Sequence, residues 1–99
     1  MTNIGKKCII RTNRAGVFFG TLADYDMATR TSEIHNCRRL WSWSGAASLS
    51  QLAVEGVKRP YDCRFTMIVE QMQVMETIEI IPCTEAAITN IEGVEVWKN

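Results

Sequence analysis

The sequence has little of what metal sites, enzymes and membrane spans are made from. It holds one histidine, His35, and four cysteines, Cys8, Cys37, Cys63 and Cys83, that lie far apart with no C-x-x-C pair. Zinc sites draw on closely spaced ligand pairs, so neither a metal nor any other cofactor is expected. There is no Gly-x-Ser-x-Gly elbow, no Walker loop and no His-Glu-x-x-His, and the reading is of a protein that is not an enzyme. No apolar run is long enough for a membrane helix. The N-terminal residues lead into no signal-peptide apolar region, which points to the cytosol. Disulfides are not expected there. The thiols read as ordinary and mostly buried, and Cys37 beside Arg38 has the one argument for a lowered pKa. No block of like charge suggests a disordered tail, and no repeat or low-complexity segment is visible.

What is present suits one small domain spanning residues 1–99, at 46% apolar enough for a modest core. The formal net charge is zero, yet it is unevenly spread. Residues 1–64 carry ten Lys/Arg against five Asp/Glu, and residues 65–99 carry one lysine against six glutamates. Three readings stay open: a basic anion site, an interface between subunits, or a fold that mixes the two signs.

Short strands are expected at 7–11, 17–22 and 29–35. Gly20 lies inside the second and marks a bulge or tight bend. Further strands are expected at 65–70, where Phe65, Met67 and Val69 form a buried face, at 77–81 and at 94–97. Pro60 stiffens the basic loop at 57–62. Thr84 caps a short late helix at 84–88. The expected fold is therefore α+β: a β-rich domain with one central helix and one short late helix. Its sheet is expected to be strongly bent or barrel-like, resembling Sm-like barrels at the level of fold alone. Uncovered sheet edges in so short a chain favour a homo-oligomer.

Residues 38–56 organise the rest. Trp41 and Trp43 alternate with small polar residues, the period of a strand, and Ser44 and Gly45 break it. Residues 46–55 read as a helix with Leu49, Leu52 and Ala53 on one face. Ser48 and Gln51 have capping-box spacing, Ser44 is an alternative N-cap, and Gly56 fits the position just past the end. Alternation puts Arg39, Trp41 and Trp43 on one face of the strand and Arg38, Leu40 and Ser42 on the other. Arginine offers forked donors for phosphate, and aromatic faces stack on bases. The expected ligand site is accordingly Arg38, Arg39, Trp41, Trp43, Ser44, Gly45, Ser48, Arg59 and Tyr61. Its phosphate is expected at the N-terminus of the 46–55 helix, where Ser44 and Gly45 leave N–H groups free. The competing reading puts both indoles in the core and the arginines in solvent.

Several blocks resemble a family of small phage and prophage proteins of uncharacterised function. They are Ala15-Gly16-Val17-Phe18 with Gly20-Thr21-Leu22, and Arg38-Arg39-Leu40-Trp41 with Trp43-Ser44-Gly45-Ala46-Ala47-Ser48-Leu49-Ser50-Gln51-Leu52-Ala53. Glu55-Gly56-Val57, Ile78-Glu79-Ile80-Ile81-Pro82-Cys83-Thr84-Glu85 and Val96-Trp97-Lys98 complete the set. Residues 24–33 depart from it. The resemblance implies a viral origin, a place in the host cell cytoplasm, and no activity or site residues. By analogy with other small phage proteins it implies counter-defence, through capture of a small cyclic nucleotide immune signal. The expected partners are that nucleotide and further copies of the chain, with a host defence protein as another candidate and no membrane. A nucleic-acid-binding module and a structural or protein-inhibitor role are the rival readings.

Overall fold

The computed structural model describes residues 2–98. Six strands form one antiparallel sheet: β1 (Lys7–Thr12), β2 (Val17–Asp26), β3 (Thr31–Ser42), β4 (Arg64–Phe65), β5 (Val69–Val74) and β6 (Thr77–Pro82). The order is β4-β3-β2-β1-β6, and β5 pairs with β3 alongside β4. Helix α1 (Leu49–Glu55), a 3-10 turn (Pro60–Asp62) and helix α2 (Glu85–Glu92) complete the α+β domain. The expected barrel is absent, and the sheet is neither closed nor strongly curled. Met75 and Glu76 join β5 to β6, but the backbone bonds there go elsewhere. Asn13 N–H donates to Glu76 O at 3.0 Å, and Thr77 N–H donates to Arg30 O at 3.0 Å.

The two strands expected at 29–35 and around Trp41 are one continuous strand, β3. Asn36 takes a left-handed turn within it (φ +48), a conformation its short polar side chain tolerates. Gly20 stands opposite, where the β2–β3 register slips between Phe19 and Thr21. A Cβ on Gly20 would meet the Cβ of Cys37 at 2.6 Å, so the expected bulge is a close passage that only glycine permits.

Each sheet face carries its own apolar cluster, as strand alternation requires. Ile9, Phe19, Leu40 and Phe65 pack with Leu52 and Ala53 of α1 and with Ala87 and Ile91 of α2. Cys8, Ile10, Phe18, Leu22, Ile34 and Cys37 pack with Val74, flanked by Met72 and Ile80. Burying a side chain of Leu or Phe size contributes about 1.5–3 kcal/mol, so the phenylalanines Phe18, Phe19 and Phe65 are major anchors. Helix α1 starts at Leu49, later than expected, because Ser48 is its N-cap: Ser48 Oγ accepts from Gln51 N–H at 3.1 Å. Helix α2 is longer than expected and begins as read, with Thr84 Oγ1 accepting from Ala87 N–H at 3.1 Å. The last expected strand shrinks to a single bridge, Phe65 to Val96, with Trp97 N–H donating to Phe65 O at 2.9 Å. Met67 and Val69 are exposed rather than buried, because the chain leaves β3 after Thr66 and rejoins it only at Val69.

The uneven charge is mixed by folding. Lys7 pairs with Glu92, Arg11 with Glu79 at 3.3 Å and Arg14 with Glu76 at 2.9 Å. Each pair joins a cation of the basic two-thirds to a glutamate of the acidic third.

Candidate functional site

Two neighbouring arginines on β3 have opposite surroundings. Arg38 is 2% exposed, and its guanidinium is spent on backbone carbonyls. Nε donates to Thr66 O at 2.9 Å, Nη1 to Val94 O at 2.9 Å and Ile91 O at 3.2 Å, and Nη2 to Phe65 O at 3.2 Å. The carbonyl of Ile91 lies in the last turn of α2, where the helix dipole favours a cation. Burial pushes the Arg38 pKa below its ordinary value, and the four carbonyls replace the water that was lost. Arg38 is thus an interior strut, and its place in the expected surface site is corrected.

Arg39 faces the other way, as alternation requires. Its Cζ lies 4.8 Å from the centroid of the Phe18 ring, a cation–π contact. Among the described residues its side chain makes no hydrogen bond and no ion pair, and its buried Nε has no partner. The side chain lines two cavities. One, of about 310 Å³, is walled by Val17, Leu40, Trp41 and Trp43. The other, of about 470 Å³, is walled by Phe18, Met72, Val74 and Met75, with Gln73 and Glu76 at hand. Arg14 and Ala15 line both, so the cavities meet at these side chains in one groove. Trp41 is 62% exposed there, whereas Trp43 also packs against the helix-side core. The two readings of the indoles therefore divide: Trp41 is open and Trp43 is partly core.

Arg14 is held by Glu76 through two bonds, of 3.0 and 2.9 Å. That pair holds the Glu76 carboxyl below the usual carboxylate range and raises Arg14 above its own. Glu76 sits at φ +58, an uncommon state for a residue with a side chain, and its carbonyl takes the Asn13 N–H. The 13–16 turn and the β5–β6 connection are thereby tied together beside the groove. With Arg14 neutralised, Arg39 is the cation lining the groove that lacks a counter-ion among the described residues.

The other expected residues gather elsewhere. Gly45 lies at φ +91 because the backbone of Lys58 passes so close that a Cβ would come within 2.6 Å of its nitrogen. Lys58 N–H donates to Gly45 O and Arg59 N–H to Ser44 O, both at 3.4 Å, and Arg59 Nε donates to Ser44 Oγ at 2.8 Å. Ser44 N–H is directed at Cys63 Sγ, and Ala47 N–H donates to Gln51 Oε1 at 2.9 Å. The N–H groups of Ser44 and Ala47 expected to cradle a phosphate are occupied, and α1 begins only at Leu49. The expected phosphate position is corrected on that ground. Ser44, Gly45 and Arg59 clamp a loop, Ser48 caps a helix, and Tyr61, 81% exposed on the 3-10 turn, lines neither cavity. Of the expected site residues, Arg39, Trp41 and Trp43 share one cavity.

Sequence reasoning missed the second cavity. Arg14 was readable as a turn residue, but nothing local links it to Glu76. Burial, which disfavours a thiolate, accounts for the cysteines. It pushes Cys8 up to about 11 and Cys83 up to about 12, with Cys8 as a further cause for Cys83, and it raises Cys37. Arg38 is engaged by carbonyls and leaves Cys37 unactivated. No described helix is long and apolar enough to cross a membrane.

A family model described as a domain of unknown function, DUF6948, matches residues 5–91. No curated protein and no solved structure matches. The matched residues run from before β1 almost to the end of α2 and take in every residue that lines the groove. With most of its length matched, the chain belongs to the DUF6948 family.

Proposed function

We propose that the protein captures a small nucleotide in the groove across Arg39 and does not transform it. One observation carries the reading: a half-buried guanidinium without a counter-ion, stacked on Phe18 between two cavities and beside the open indole of Trp41. A cation in a partly desolvated groove is paired far more strongly by an anion than it would be in water, and indoles stack on flat rings. Glu76, the one carboxylate lining the groove, is taken by Arg14, which favours holding over turnover. The resemblance to phage proteins supports a setting for this: an accessory protein in the host cytoplasm that sequesters a cyclic nucleotide signal of host defence. Self-association fits too, since β5 and β6 each pair along one edge only and such edges template further pairing.

The test is a thermal-shift screen of the parent protein and Arg39→Ala against mononucleotides and cyclic di- and trinucleotides. A ligand at a hundred times its Kd stabilises the folded state by about 2.7 kcal/mol, which shifts the parent and not the variant. Binding to generic oligonucleotides with a steep salt slope would instead favour the nucleic-acid reading. A monomeric mass in solution would remove self-association.

A further inference from the structure

We infer that the ligand of this groove is a dinucleotide: two flat rings joined by one phosphodiester, with the phosphate on Arg39 and one ring in each cavity. The inference rests on the nucleotide reading above and narrows it. Three features carry it.

The first is the two-lobed shape. The cavities of about 310 and 470 Å³ share only Arg14, Ala15 and Arg39, so the charged side chains form a saddle with a lobe on either side. Each lobe is of a size that holds a small organic group. A ligand with its anion at one end would fill one lobe and leave the other to water. The second is the lining. One lobe offers the indoles of Trp41 and Trp43. The other offers Met72, Met75 and the Phe18 ring, with Gln73 beside them. Thioethers make favourable contacts with aromatic rings, and a glutamine amide can pair with the donor and acceptor edge of a base. Both lobes therefore suit a flat ring, by different chemistry. The third is charge. Arg14 is neutralised by Glu76, which leaves Arg39 as one uncompensated positive charge. A phosphodiester carries one negative charge, whereas a terminal phosphate carries close to two at neutral pH.

The experiment is a set of calorimetric titrations with ApA, two adenosines joined by one phosphodiester, and with AMP. The proteins are the parent, Trp41→Ala and Met75→Ala. Both substituted side chains are exposed, so both variants keep the fold. The parent is expected to bind ApA roughly 5- to 100-fold more tightly than AMP, the worth of one additional stacked base. Each variant is expected to weaken ApA by a factor in the same range, while AMP loses affinity in one of the two variants only. Equal affinity for ApA and AMP, or ApA binding untouched by Met75→Ala, would overturn the dinucleotide and leave nucleotide capture standing. If the parent binds neither ApA nor AMP, nor any compound of the thermal-shift screen, the dinucleotide and the nucleotide reading fall together.

Discussion

Arg38 and Arg39 are the same amino acid, adjacent in sequence, on the same strand. One sits among four carbonyls on the helix side of the sheet, and the other lies over a phenylalanine ring with no hydrogen-bonding partner for its guanidinium. Strand alternation alone sends them to opposite faces; what each face offers decides the rest. On the helix side, the last turn of α2 and the segment around Thr66 bring carbonyls that need donors, so the arginine becomes structure. On the groove side no carboxylate or carbonyl reaches Arg39, and its charge remains for a ligand. The lesson is that a basic pair is not one feature. Its two members have to be weighed against separate surroundings.

Substitutions that treat the two alike are the way to break this comparison. The largest effect is expected from Arg38→Ala, which removes the donor from four carbonyls. Each unsatisfied buried group costs about 1–3 kcal/mol, and with water entering some of the space the loss of stability is about 3–5 kcal/mol, read by urea denaturation. Arg38→Lys should recover only part of it, because an ammonium cannot span the same fork of acceptors. Arg39→Ala should cost about 1.5–3 kcal/mol of ligand affinity, the range for a hydrogen bond to a charged group. Its stability should change by less than about 1 kcal/mol. Gly20→Ala sharpens the comparison from the other side, since its Cβ would collide with Cys37 Cβ and disturb the register that assigns the two faces. Overpacking of this kind costs about 1–3 kcal/mol, seen as a lowered Tm.

The smallest effect is a shared one. Cys8 and Cys83 have folded-state pKa values of about 11 and about 12, above the ordinary 9.0 of a thiol. Raised values mean that their contribution is intact below pH 9 and is lost as pH climbs toward the folded values. The Tm of the parent and of Arg39→Ala should therefore fall in parallel above about pH 9. Divergent slopes would show that Arg39 is coupled to the core.

Much of this was legible in the sequence where the signal is local. Alternation separated Arg39, Trp41 and Trp43 from Arg38 and Leu40; Gly20 announced its bulge; Ser48 with Gln51 and Thr84 announced two helix starts. What was not legible depends on distant partners. The burial of Arg38 requires carbonyls 27 to 56 residues further along, and a cation with such partners reads the same as a solvated one. The second lobe depends on a pair 62 residues apart, Arg14 with Glu76. The free N–H groups expected after Trp43 were lost to Cys63 and Gln51, and Lys58 and Arg59 closed over the same turn from the following loop. Strand 94–97 failed for the opposite reason: its alternation was right, but it meets β4 only at the bridge between Phe65 and Val96.

The claim that one arginine of the pair builds the fold and the other holds the ligand is tested most directly by melting three proteins, each with and without ApA. They are the parent, Arg38→Lys and Arg39→Ala. The account predicts that Arg38→Lys melts well below the parent yet still gains stability from ApA, and that Arg39→Ala melts with the parent and gains none. An Arg39→Ala protein stabilised by ApA as much as the parent, or an Arg38→Lys protein that melts with the parent, would contradict it.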